Sequence, residues 1–103
     1  MKKIIDGKRY DTKTATLVGT FSNGHFYDDF RYVSEDLYRT PRGRYFLHGE
    51  GGAMTCYAQR CGKSYYAGEA VTPMDEDEAF FWAQTNLAAS EIEAAFATRI
   101  ADA

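Results

Sequence analysis

The apolar positions of the chain change period once, and that change divides it. Up to Thr72 they fall in short runs broken by turn signals; beyond Pro73 they recur at helical spacing. "KKII" leads through Asp6-Gly7 into "KRY", and an Asp-Gly pair suits the two central positions of a tight hairpin, which need positive φ. In "ATLVGTF", Leu17, Gly19 and Phe21 alternate with Thr16, Val18 and Thr20, and Asn23-Gly24 after it is a second hairpin signal. "HFYDDFRYV" alternates Phe26, Asp28, Phe30 and Tyr32 with Tyr27, Asp29, Arg31 and Val33, an aromatic-rich pattern that predicts a strand. The strongest turn signal is Thr40-Pro41-Arg42-Gly43, with Pro preset for the second turn position and Gly able to take positive φ. On the strand that follows, Tyr45 and Leu47 should point one way and Arg44, Phe46 and His48 the other. "SYYAGEAV" predicts a further strand, with Gly68 at a bulge.

Past Pro73, Asp75 with Glu78 three residues later forms a capping-box pattern, and Ala79, Trp82, Ala83, Asn86 and Leu87 follow at helical spacing. Asp75, Glu76, Asp77 and Glu78 crowd the first turn, where the helix dipole favours negative charge. Ser90 with Glu93 repeats the capping box and predicts a second helix presenting Ile92, Ala95, Phe96 and Ile100. Strands first and helices last predict an α+β fold: an antiparallel sheet of about five to six short strands, with two C-terminal helices on one face. The 103 residues read as one domain with room for one core, residues 1–72 β-rich and 75–101 helical. There is no internal repeat, low-complexity tract or linker.

Composition excludes some classes. With 45% hydrophobic and 16% aromatic residues, the chain is too rich in rings to be disordered. No run approaches the ~20 apolar residues of a membrane span, and "MKKIIDGKRY" carries no apolar stretch of signal-peptide length. The expectation is a cytoplasmic protein with Cys56 and Cys61 as reduced thiols, since small domains held by disulfides usually carry more cysteines. Charge is unevenly spread. Residues 1–63 hold eleven Lys or Arg against seven acids, a net +4, whereas residues 64–103 hold one Arg against eight acids, a net −7. A mildly basic front and a strongly acidic tail are both candidate partner surfaces.

The residues that could carry chemistry form no complete signature. "HGEGG", His48 to Gly52, resembles an esterase oxyanion loop, but no G-x-S-x-G nucleophile elbow accompanies it, and neither phosphate-cradling glycine pattern is matched. The glycines are expected to supply unusual φ values for a tight exit from the hairpin. Cys56 and Cys61, spaced C-x4-C with only His25 and His48 to complete a ligand set, make a weak zinc pattern. No cofactor, metal or catalytic residue is therefore assigned; an enzyme acting through His48, Glu50 or Cys56 is the third-ranked reading. Asp28 and Asp29, as neighbours on a strand, would face opposite sides and share no site.

Two surface sets remain. Glu69, Asp75, Glu76, Asp77, Glu78, Glu91 and Glu93 are expected to form a negative patch that competes for a basic protein groove. Tyr38, Arg39, Arg42, Arg44 and Tyr45 ring the Thr40–Gly43 turn and combine guanidinium groups with aromatic rings, which is the chemistry of phosphate contact and base stacking.

Taken together, "KKIIDGKRYDT", "SNG", "LYRTPRGRYFLHGEGGAM", Gly68-Glu69, "TPMDEDEA" and "FFWAQTNL" resemble a family of small proteins carried on bacterial prophages, plasmids and integrative elements. The likeness covers most of the chain and peaks at Leu37 to Gly52; the alanine-rich ending "SEIEAAFATRIADA" departs from it. The family has no assigned catalytic residues to transfer. The resemblance implies a non-enzymatic protein that binds a bacterial defence protein or ribonucleoprotein such as a CRISPR effector, with anti-CRISPR activity the specific form. The alternative is a nucleic-acid-binding accessory module that uses the Arg39–Arg44 hairpin.

Overall fold

The computed structural model describes residues 1–103. Eight strands form three antiparallel sheets, and two helices close the chain. Strands β1 (Lys2–Ile5) and β2 (Lys8–Asp11) make the first hairpin, turning at Asp6 (φ 51°) and Gly7 (φ 74°) as the Asp-Gly signal requires. The central sheet has the order β3-β4-β5-β8, from β3 (Thr16–Ser22), β4 (Val33–Arg39), β5 (Tyr45–Gly51) and β8 (Gly68–Met74). Between β5 and β8 the chain makes a small hairpin of β6 (Gln59–Cys61) and β7 (Ser64–Tyr66). Helices α1 (Glu76–Asn86) and α2 (Ala89–Phe96) follow, with one 3-10 turn at Ala97–Arg99. The α+β class and the helices after the strands are as expected. There are more strands than expected because Gln59–Cys61 adds one and "SYYAGEAV" splits into two, and β1–β2 and β6–β7 pair locally instead of joining the central sheet.

The Thr40–Gly43 turn joins β4 to β5: the Gly43 N–H donates to the Thr40 carbonyl (2.9 Å), the Thr40 N–H to the Arg44 carbonyl (2.7 Å), and Gly43 sits at φ 82°. Its alternation then sorts two faces. Leu37, Tyr45 and Leu47 face the helices and pack with Ala79, Trp82, Ala83 and Phe96 in the main core. Phe46 points the other way and is fully buried there by the first hairpin, its ring 5.5 Å from Tyr10 at 71° and stacked on Tyr38 at 5.2 Å and 12°. One face of the sheet is thus covered by helices. The other is covered only at the turn end, by the β1–β2 hairpin.

Helix α1 begins as its sequence pattern demands. The Glu78 N–H donates to Asp75 Oδ1 (2.7 Å) and the Asp75 N–H to Glu78 Oε1 (3.1 Å), closing the capping box. Its buried stripe is Ala79, Trp82 and Ala83.

Five local expectations need correction. Residues 24–32 form an irregular loop, and of "HFYDDFRYV" only Val33 is in a strand, as the first residue of β4. Its polar side chains bond to nearby backbone and compete with a ladder: Asp29 Oδ1 accepts from the Arg31 N–H (2.8 Å), and the Asn23 amide donates to the Arg31 carbonyl (2.7 Å). Asn23-Gly24 consequently opens a long connection between β3 and β4 instead of a tight hairpin. In β3 the alternation slips, because a bulge between Leu17 and Gly19 lets Val18 join Phe21 against the core while Leu17 is half exposed. Gly68 starts β8 and bulges nothing; the predicted "SYYAGEAV" strand breaks at Ala67 into β7 and β8. Helix α2 starts two residues earlier than Ser90 predicts, with the Ala88 N–H bonded to Glu91 Oε1 (3.3 Å), and its helical run ends before Ile100, which is exposed.

The glycines of "HGEGG" are also differently used. Gly49 and Gly51 lie inside β5, none of Gly49, Gly51 and Gly52 has positive φ, and what they provide is room. A Cβ on Gly49 would collide with the ring of Tyr57, and one on Gly52 would collide with the Phe30 carbonyl oxygen. Tyr57 therefore crosses the helix-bearing face directly over Gly49. Its hydroxyl bonds to Glu35 Oε2, whose second oxygen accepts from Trp82 Nε1 at 3.0 Å.

Candidate functional site

The uncovered end of the sheet carries a group of four ionisable side chains. Alternation and register bring Asp36 of β4, His48 and Glu50 of β5 and Glu69 of β8 to the face away from the helices, since Asp36 pairs with His48 and Glu50 with Glu69. The His48 ring Nε2 lies 3.0 Å from Glu69 Oε2, and the Tyr32 hydroxyl donates to Glu50 Oε1 at 3.2 Å. Burial pushes the Asp36 carboxyl above its ordinary range and the Glu50 charge adds to that, while His48 opposes it. Tyr38 beside it is raised too, by burial first and by Asp36 second.

At the far end of this face the 24–32 loop builds a wall. Tyr27 packs edge-on against Tyr32 at 5.5 Å, and the two line a cleft of about 320 Å³ with Glu50, Glu69 and the backbone of Gly51 and Gly52. The loop and the segment after β5 also turn apolar side chains to solvent: Phe26 is 83% exposed, Phe30 66% and Met54 72%, the last held to Phe30 by a backbone hydrogen bond of 2.9 Å. Asp29 fixes the loop from outside. Its hydrogen bonds from the Arg31 side chain and backbone lower its carboxyl to about 2.

Asp36 supports a direct test. Because its folded carboxyl titrates above the unfolded value, its ionisation opposes folding: the linked stability is full below the unfolded pKa and lost as pH rises through the folded one. Asp36→Asn should therefore raise the melting temperature at about pH 7 relative to wild type and lose that advantage by about pH 3. Melting curves at the two pH values check it; an equal difference at both refutes it.

The predicted acidic patch is divided. Glu69 belongs to the open sheet face. Asp75 and Glu78 are engaged in the α1 cap, Asp77 accepts from Arg99 Nη2 at 2.6 Å, and Glu76 and Glu91 line a groove on the helix side together with Arg39. Glu93 is exposed on α2. What joins Glu69 is Asp36 and Glu50, and the period-two pattern of "VSEDLYR" opposite "YFLHGEG" is the signal that could have found them.

The basic set is divided as well. Tyr45 is buried, stacked on Phe96 at 5.5 Å, and Tyr38 is covered on one side by Phe46, so neither offers the free stacking ring expected of it. Arg39 turns under Gly43 toward the helix side. Arg42 and Arg44 instead line a cleft of about 620 Å³ shared with Lys8 and Arg9 of the first hairpin, a partnership that no local sequence signal announces. From Arg44 to Glu50 along β5, the basic and acidic regions are about 20 Å apart at ~3.4 Å per residue.

His48 and Glu50 project from one face of the sheet, whereas Cys56 belongs to the segment that lays Tyr57 across the other. Both cysteines are free and exposed, and no three His, Cys, Asp or Glu side chains converge as metal ligands would. No helix is long and apolar enough to cross a membrane. No protein family, curated protein or solved structure matches the chain.

Proposed function

We propose that this protein is a mobile-element product that acts by binding and blocking a bacterial host-defence complex, most specifically as an anti-CRISPR protein. The observation that carries the reading is the uncovered sheet end, where Glu50 and Glu69 line a cleft with the exposed ring of Tyr27, Asp36 shares their face of the sheet, and Phe26 and Phe30 of the same loop expose their rings. Exposed aromatics beside a patch of one charge sign combine the two ingredients of a protein-binding surface: apolar anchors that gain from losing water, and charges that select and steer the partner. The partner surface that fits is basic. In a nucleoprotein effector, the grooves that hold guide or target strands are basic in this way, so occupancy by this face excludes nucleic acid.

The test is to mix the protein with purified effector complexes of several types, following co-elution and target-DNA cleavage. Co-elution with loss of DNA binding or cleavage is expected for one type. It should disappear for a variant combining Asp36→Asn, Glu50→Gln and Glu69→Gln, each exchange removing charge at constant shape. Effectors that neither retain the protein nor lose activity would sink the proposal.

A further inference from the structure

We infer that the cleft between the two hairpin tips binds the phosphodiester backbone of a single-stranded nucleic acid through Lys8, Arg9, Arg42 and Arg44. This goes beyond the defence-complex reading and does not rest on it, since it concerns the opposite end of the sheet.

The cleft is assembled by tertiary structure. The β1–β2 hairpin docks on the sheet through Tyr10 and Phe46, which sets Lys8 and Arg9 beside the tip of the β4–β5 hairpin with its Arg42 and Arg44. Four cations line one concave space of about 620 Å³, and no carboxylate lines it. None of the four makes an ion pair within the chain, although Arg31 and Arg99 do. In a protein of net charge −3, cations left unpaired and gathered in one cleft have their charge available to a ligand. Thr40 adds a hydroxyl at the rim: its Oγ1 accepts from the Arg44 N–H at 3.1 Å and keeps its own proton for donation.

The chemistry favours phosphates over an acidic protein. Three of the four groups are guanidiniums, whose planar forks match two phosphate oxygens. The cleft exposes no aromatic anchor of the sort that dominates protein interfaces, since Tyr10, its one ring, is only 5% exposed. Backbone binding, by contrast, draws its affinity from charge neutralisation and counterion release alone. A concave basic groove follows one flexible strand. Because no free aromatic ring lines it, base stacking is absent, and binding should ignore sequence.

The experiment is fluorescence anisotropy with a labelled oligothymidylate of about ten nucleotides, matched to the footprints of small single-strand sites. With four phosphates neutralised and a slope near −0.7 each, binding should weaken about fifty-fold between roughly 50 and 200 mM salt. Lys8→Ala with Arg9→Ala, and Arg42→Ala with Arg44→Ala, should each weaken binding roughly tenfold and halve the salt slope. Lys2→Ala with Lys3→Ala removes the same charge from exposed positions outside the cleft and should leave affinity within about twofold. Melting curves confirm that each variant is folded. No binding at low salt, an equal loss from the Lys2/Lys3 variant, or tighter binding of polyglutamate than of the oligonucleotide would each overturn the assignment. The Asp36/Glu50/Glu69 variant should retain oligonucleotide binding in full, which separates this site from the acidic face.

Discussion

Phe46→Ala is expected to cost about 4 kcal/mol, the middle of the range for deleting a buried ring. The side chain is fully buried, yet it lies outside the helix-facing core, held between Tyr10 of the first hairpin and Tyr38 of its neighbouring strand. Truncation removes the transfer free energy of the ring and leaves a cavity that the two tyrosines cannot both fill; each aromatic pair adds ~0.5–1.5 kcal/mol beyond burial. A loss of this size is a large share of the ~5–15 kcal/mol of an ordinary domain. Urea denaturation followed by circular dichroism measures it, with Phe26→Ala as the exposed-ring control near zero. Phe46 also ties Lys8 and Arg9 to the sheet, so oligonucleotide affinity should fall along with stability. Phe46→Leu should recover most of both. A cost below about 1 kcal/mol would mean that the hairpin is not docked.

Gly49→Ala should cost about 3 kcal/mol through a side chain eight residues away in sequence. The new methyl would occupy the space of the Tyr57 ring, which is pinned by its hydroxyl to Glu35 and cannot swing aside without breaking that bond. A hydrogen bond to a charged group contributes ~1.5–3 kcal/mol, and displacing the ring re-exposes apolar surface. The environment of Tyr57 agrees: burial first, then the bond to Glu35, hold its hydroxyl far above the ordinary tyrosine range. Tyr57→Phe should cost less, about 1.5 kcal/mol, because Trp82 Nε1 still satisfies the other Glu35 oxygen. The diagnostic is coupling. Once Tyr57→Ala has emptied the space, adding Gly49→Ala should cost little, so the double variant falls well short of the sum of the singles. Additive losses would show that the two positions do not meet.

The elements with local codes were legible. Asp6-Gly7, Thr40–Gly43 and the Asp75–Glu78 box each satisfy their own backbone groups within a few residues, so no distant contact is needed to read them. The opposite orientations of Tyr45 and Phe46 followed from the pleat alone. The errors arose where a local pattern had two solutions. Alternating aromatics over His25 to Val33 suit a strand, but Asn23 and Asp29 offered the backbone nearer partners and left Phe26 and Phe30 in solvent. The glycines of "HGEGG" suit a turn, but they serve to admit Tyr57 and the backbone of Phe30, partners whose approach depends on the whole fold.

The candidate surfaces divide along the same line. By itself the sequence determined the class, the order of strands and helices, the first helix cap, the two tight hairpins and the split between basic front and acidic tail. All of these depend on residue type and short-range spacing. Only the tertiary structure decided which charges meet. Sheet register moved Glu69 away from the helix acids and set it with Asp36 and Glu50, and docking of one hairpin on Phe46 joined Lys8 and Arg9 to Arg42 and Arg44. Charges act through distance in space, and that distance is set by strand pairing and ring packing between segments some thirty residues apart, which no local pattern encodes.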